Sequence, residues 1–78
     1  MTANDVVSLA RDQARHAAHR ARLAGRDPDG WLLGYELGHV LGQILVAQHD
    51  MGASPILAQA ARNEAQFLLG DYQERRHA

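Results

Sequence analysis

The 78-residue sequence contains no cysteine, no lysine and only four aromatic residues. Without cysteine, disulfide bonds and zinc sites built from thiolates are excluded. β-branched and aromatic residues are sparse and nowhere alternate over a useful length, so strands are not expected. No uninterrupted apolar run reaches the roughly 20 residues that a membrane-spanning helix needs. The start of the chain lacks a basic, apolar leader, which favours a cytoplasmic location.

The sequence also has little excess charge of either sign. Its formal net charge is −1, which argues against general binding to polyanions. The length allows one domain, residues 1–78. A chain this short normally needs disulfides, a metal or a partner subunit for stability. Because disulfides are excluded, self-association, a histidine–carboxylate metal site or very good helix packing remain.

Two short segments with turn-forming residues divide the chain into three helices. In the first, Gly25 suits a C-terminal cap, and Asp27 offers an N-cap with Pro28 at the first helical position. In the second, Gly52 ends one helix and Ser54 caps the next. The sequence therefore predicts an all-α fold with helices at residues 4–24, 28–50 and 55–75, and a frayed tail at 73–78.

Helix 1 carries a thin apolar stripe made mostly of alanine. The stripe contains Val6, Val7, Ala10, Ala14, Ala17, Ala18, Ala21 and Ala24. Arg11, Arg15 and Arg22 lie roughly opposite the stripe. They are candidates for contacts with phosphates or with a protein partner, because arginine clearly outnumbers aspartate in this part of the chain.

Helix 2 is apolar around most of its circumference, which predicts that neighbours cover it on more than one side. Gly34, Gly38 and Gly42 fall on one line at a spacing of four residues. Each interior glycine costs about 0.8–1 kcal/mol relative to alanine, so we expect close approach by another helix to offset the cost. That helix is either the alanine stripe of helix 1 or helix 2 of a second copy.

The large side chains are concentrated in helices 2 and 3. We expect the helix-packing or dimer interface to contain Gly34, Gly38, Gly42, Trp31, Leu41 and Leu45. The opposite face of helix 2 holds Leu33, Leu37, Val40 and Ile44, and two rows of helix 3 are expected to cover it: Leu57, Ala61, Ala65, Leu68 and Tyr72, and beside them Ile56, Ala60 and Phe67. Trp31 either packs in the core or over the turn between helices 1 and 2, or it anchors an interface. Such an apolar surface exceeds what one three-helix unit covers, which favours a homodimer.

The segment Tyr35–Gly42, YELGHVLG, resembles the zinc-binding helix of metzincin metalloproteases. The resemblance implies that Glu36 matches the general base, His39 the second zinc ligand and Gly42 the turn glycine. Tyr35 stands at the first ligand position and Leu45 at the third. Two of three ligands are therefore missing, and a protease is not expected.

A different metal site needs only histidine and carboxylate. Glu36 and His39 have the (i, i+3) spacing of helical di-iron ligands, and His16 and His19 repeat it on helix 1. If the alanine and glycine lines face each other, the two pairs point apart, and a shared site forms only across a dimer. Solvated polar faces are the simpler interpretation of both pairs.

These observations favour a non-enzymatic protein–protein interaction protein without a cofactor. It would be a regulator, adaptor or inhibitor of a larger partner, of the kind common in bacteria and their phages, and would act through a rigid helical surface. Arg11, Arg15 and Arg22, or the acidic Asp27 and Asp29, would select the partner. The alternatives are a metal-binding protein that uses Glu36 and His39, and a nucleic-acid-binding protein that uses the arginines of helix 1.

Overall fold

The computed structural model describes residues 1–25 and 30–77, which form three α-helices and no strand. The helices are α1 (Ala3–Ala24), α2 (Trp31–Asp50) and α3 (Pro55–His77). The predicted all-α three-helix fold is confirmed, and α3 continues two residues beyond its predicted end. The predicted start of helix 2 at 28, with its cap at Asp27, lies outside the described residues. Fraying of the tail stays a prediction.

Local hydrogen bonds fix both ends of α1. Thr2 Oγ1 accepts a hydrogen bond from Asp5 N at 3.2 Å, and Asp5 Oδ2 accepts one from Thr2 N at 2.9 Å. This reciprocal capping box satisfies two backbone donors that the first helical turn leaves free. At the other end Gly25 has φ 61° and donates to Ala21 O at 3.3 Å, which confirms the predicted glycine cap.

The turn between α2 and α3 is also built as predicted. Gly52 has φ 78°, a backbone conformation that residues with a side chain rarely adopt. Ser54 Oγ accepts a hydrogen bond from Leu57 N at 3.4 Å, and Pro55 is the first helical residue. Ser54 N donates to Asn4 Oδ1 at 2.9 Å, so this turn is held against the start of α1.

The core lies between the three helices and is made of small residues on α1 and α3 around larger ones on α2. The members of this buried cluster are Val7, Ala10, Ala14, Ala17, Ala18, Leu33, Leu37, Val40, Ile44, Ala47, Ala53, Ala58, Ala61, Ala65 and Tyr72. The alanine stripe of α1 is therefore inside, as predicted, but it packs in one cluster with the leucine-rich face of α2. The predicted contact between this stripe and the glycine line is wrong.

Helix α3 contributes only one of its two apolar rows. Ala61, Ala65 and Tyr72 are buried and Leu57 and Leu68 are partly buried against the core, as predicted. In contrast, Ile56 is 84% exposed and Phe67 is 70% exposed, so the second row does not cover α2. The bundle is elongated, with extents of 39 × 18 × 14 Å, and it covers α2 on one face. Coverage of α2 on a further side needs another chain and stays a prediction.

Candidate functional site

The side of α2 that α1 and α3 leave uncovered is largely apolar and exposed. We call it the outer face of α2, and it consists of Trp31, Gly34, Tyr35, Gly38, His39, Gly42, Leu45, Val46 and His49. Trp31 is 73% exposed, Tyr35 60%, and Leu45 and Val46 50% each. The face contains no Asp, Glu, Lys or Arg, whereas the solvent side of a helix in a globular protein is normally polar and charged.

Three rings form a continuous ridge along this face. Trp31, Tyr35 and His39 follow each other at a spacing of four residues, which places them in one row on the helix surface. The Trp31 and Tyr35 ring centroids are 6.1 Å apart with planes inclined by 16°, a stacked arrangement. The Tyr35 and His39 rings pack edge to face, with their centroids 5.0 Å apart. These contacts hold the exposed aromatic side chains in a defined arrangement.

Beside the ridge lies an open groove of about 690 Å³. Gly38 and Gly42 line it together with Tyr35, His39, Gln43 and Val46 of α2, and Val6 of α1 also contributes to the lining. A Cβ atom built at Gly34, Gly38 or Gly42 would meet nothing within 4 Å outside its own turn of helix. No close packing in the described part of the bundle therefore offsets the cost of these glycines. Trp31 does not pack in the core, because 73% of its surface is exposed, and residues 26–29 of the turn before it lie outside the described residues.

Three of the four residues proposed as metal ligands share a second groove, of about 390 Å³, between α1 and α2. His16, Glu36 and His39 line it together with Arg20, whereas His19 is absent from the lining. The condition under which the two pairs were expected to point apart, that the glycine line faces α1, does not hold, and only His16 of the pair on α1 lines this groove. Arg20 Nη2 donates to Glu36 Oε2 at 3.2 Å, so the carboxylate already has a cationic partner. Residues 1–25 and 30–77 contain no group of three histidine or carboxylate side chains arranged to hold a metal ion.

Three of the arginines of α1, Arg11, Arg15 and Arg22, pair with carboxylates of α3. Arg15 donates two hydrogen bonds to Glu64, from Nε at 2.7 Å and from Nη2 at 2.9 Å. Arg11 Nε donates to the same carboxylate at 3.2 Å, and Arg22 pairs with Asp71. These five side chains form what we call the α1–α3 seam, which faces away from α2. The arginines therefore flank the buried stripe beside α3, and do not lie opposite it.

Electrostatics within the seam follow from this pairing. The hydrogen bond from Arg15 is the main cause that lowers the pKa of Glu64; burial opposes this shift, and the hydrogen bond and charge of Arg11 add to it. The same hydrogen bond raises the pKa of Arg15. Both groups are thus held in their charged forms, and positive charge on α1 is matched by negative charge on α3. Sequence reasoning missed Glu64 and Asp71. The other candidate acidic residues, Asp27 and Asp29, lie outside the described residues.

Comparisons with known protein families, with curated proteins and with solved structures find no match to this chain. Among the helices of residues 1–25 and 30–77, none combines the length and apolar character that crossing a bilayer requires.

Proposed function

We propose that this chain is a small, non-enzymatic protein–protein interaction protein, acting as a regulator, adaptor or inhibitor of a larger partner. The observation that carries the proposal is the outer face of α2, where exposed apolar side chains extend from Trp31 to Val46 and none of the residues that form the face is Asp, Glu, Lys or Arg. Contiguous exposed apolar patches on small proteins mark interaction sites, and depletion of charge at the centre of a patch is typical of interfaces.

The aromatic ridge supports this proposal because Trp and Tyr are the residues that most often dominate binding energy. Trp31 and Tyr35 stand on a helix and stack on each other, so little side-chain freedom remains to be lost on binding. A protein chain bound to this face would therefore meet a preorganised surface, and burial of these rings would supply most of the affinity of that contact.

The α1–α3 seam supports a second role, the selection of the partner. It displays Arg11, Arg15 and Arg22 next to Glu64 and Asp71, so both signs of charge alternate over the surface. Complementary charge mainly sets specificity and association rate. The same pairing disfavours nucleic-acid binding, since carboxylates beside each arginine offset the attraction to phosphate. Retention on heparin that falls with salt would revive that alternative.

A metal-binding function is the second candidate, because His16, Glu36 and His39 line one groove. A bound metal would displace Arg20 from Glu36 and would leave at least one ligand to water or another chain. Metal analysis of the purified protein, with melting curves with and without chelator, tests this candidate. Bound metal in stoichiometric amount, together with a lower melting temperature in chelator, would establish it.

Affinity capture from the source cells with three baits tests the interaction proposal. The baits are the wild-type chain, Tyr35→Ala on the outer face of α2, and Phe67→Ala on α3. Both substitutions remove a ring that is mostly exposed, 60% for Tyr35 and 70% for Phe67, so they are matched in chemistry. We expect a larger protein to be retained by the wild type and by Phe67→Ala and to be lost with Tyr35→Ala. Equal retention by all three baits would refute a role for this face.

A further inference from the structure

We infer that the outer face of α2 is a self-association surface whose occupant is a second copy of this chain, with the two α2 helices crossing ridge into groove. The inference rests on the proposed function in one respect, namely that this face binds protein. It adds the identity of the bound chain and the geometry of the contact.

Shape is the first argument, because the face carries both halves of a complementary contact. A two-fold dimer brings the same patch of both copies together, so each protrusion must find a depression on that same patch. The ridge of Trp31, Tyr35 and His39 lies directly beside the groove at Gly38 and Gly42. Each copy can therefore place its ridge in the groove of the other.

The row spacing fixes the crossing angle. Both the ridge and the glycine line run at a spacing of four residues along α2. Packing of such rows from two helices gives an interaxial angle of about −50°. Since a Cβ atom at Gly38 or Gly42 would meet nothing inside the chain, the floor of the groove is free to receive the partner's side chains.

Charge is the second argument. When two identical faces meet, every charged residue near the axis approaches its own copy, and like charges opposed in this way cost several kcal/mol. The outer face of α2 has no Asp, Glu, Lys or Arg, so its association with a second copy meets no such penalty. The charges of the chain are instead concentrated elsewhere, including the α1–α3 seam.

Area is the third argument. A fully buried aromatic side chain covers roughly 150–250 Å², so Trp31 and Tyr35, 73% and 60% exposed, together offer roughly 200–330 Å² per chain. A stable interface needs about 800 Å² per partner. The two rings thus supply about a quarter to two fifths of it, and Leu45, Val46 and the two histidines extend the same patch. The single chain exposes 5095 Å², more than the about 4,700 Å² expected of a compact monomer of 8.6 kDa.

Such a dimer would place its two α1–α3 seams on opposite outer sides, because each seam faces away from α2. One dimer would then present two copies of the partner-selecting surface. In this arrangement the larger partner binds the seams, and Tyr35→Ala would lose it because a monomer offers one seam where the dimer offers two.

Sedimentation equilibrium of the full chain from low micromolar to millimolar concentration tests the inference. We expect the wild type to reach twice the 8.6 kDa mass of the chain. Tyr35→Glu and Leu45→Glu, which place a charge on the outer face of α2, should weaken dimerisation at least ~10-fold. Phe67→Glu on α3 is the matched control and should dimerise like the wild type. Circular dichroism verifies that each variant is folded, which is expected because all three side chains are at least half exposed.

Two results would overturn the inference. The first is a wild type that stays monomeric up to millimolar concentration. The second is a dimer that Phe67→Glu disrupts and the two α2 variants leave intact. Neither result decides the proposed function, because the capture experiment reports separately whether Tyr35→Ala loses a larger partner. If the wild type is monomeric and Tyr35→Ala still loses the larger partner, the outer face of α2 remains an interaction site whose occupant is that partner.

Discussion

Replacing Gly38 with alanine should stabilise the isolated chain and weaken its dimer at the same time. Gly38 lies inside α2, and an added Cβ meets nothing within 4 Å in the monomer. Alanine is favoured over glycine in a helix interior by about 0.8–1 kcal/mol. For a domain of this size such a gain raises the melting temperature by about 3–8 °C. The increase is expected at concentrations low enough to keep the chain monomeric.

The effect on the dimer has the opposite sign. A methyl group on the floor of the groove occupies space that the partner's ridge needs, and overpacking of this kind costs about 1–3 kcal/mol. The dimer dissociation constant should therefore rise by roughly 5-fold to 150-fold. Sedimentation equilibrium gives this constant, and thermal melting followed by circular dichroism in dilute solution gives the stability of the monomer.

Gly70→Ala is the matched control for this experiment. Gly70 lies inside α3, and a Cβ atom there also meets nothing within 4 Å. The control should gain a similar amount of helix stability and leave the dissociation constant unchanged. If Gly38→Ala and Gly70→Ala dimerise equally well, the glycine line is not part of an interface. If Gly38→Ala melts at a lower temperature than the wild type in dilute solution, the groove is not open in the monomer.

Three further substitutions test the pH response and the helix ends. The hydrogen bond from Arg15 above all lowers the pKa of Glu64 in the folded state. The Glu64 carboxylate therefore stabilises the fold at pH values above its unfolded pKa of about 4.3. This stabilisation is lost as the pH falls through the lowered folded pKa. As the pH is lowered, the free energy of unfolding should therefore fall less for Glu64→Gln than for the wild type. An equal fall in the two proteins would contradict the pairing of Glu64 with Arg15. Thr2→Ala removes the N-cap of α1 and should cost about 0.5–2 kcal/mol in urea unfolding, with no loss expected if the capping box does not form. Gly30→Ala should lower the free energy of unfolding by at least about 1–2 kcal/mol, because φ is 71° and the new Cβ would lie 3.3 Å from Tyr72 Cδ1. An unchanged free energy of unfolding in urea would show that the backbone before α2 rearranges to accept the Cβ.

The helices and their ends were predictable because they depend on local rules. Glycine at Gly25 and Gly52 takes positive φ, and Ser54 followed by proline opens α3, so neighbouring residues alone determine these boundaries. The capping box of Thr2 and Asp5 was not predicted, although the spacing of three residues is its signature.

Which face of α2 is buried was not predictable from the helical periodicity of its sequence. Both the glycine line and the row containing Leu33, Leu37 and Ile44 were apolar enough to face inward. Burial free energy scales with apolar area, so the branched side chains gain more inside than glycine does. The alanine stripe of α1 therefore packs with the leucine and isoleucine side chains, and the glycines remain outside.

The α1–α3 seam was unpredictable for a different reason. Arg11 and Glu64 are 53 positions apart in the chain, and Arg15 and Glu64 are 49 apart. Helical periodicity relates residues three or four positions apart, and it carries no information on which helices become neighbours or at what register. Only the assembled bundle shows that these charges meet.

The central claim, that the outer face of α2 meets a second copy, is tested most directly by a single introduced cysteine. Because the natural sequence has no cysteine, Gly38→Cys places one thiol per chain at the middle of the glycine line. Two such thiols can join only if their Cα atoms come within about 7 Å. We expect mild oxidation to give a disulfide-linked dimer, whereas Asn63→Cys, exposed on α3, stays monomeric. Equal cross-linking of the two variants, or none at position 38, would contradict the account.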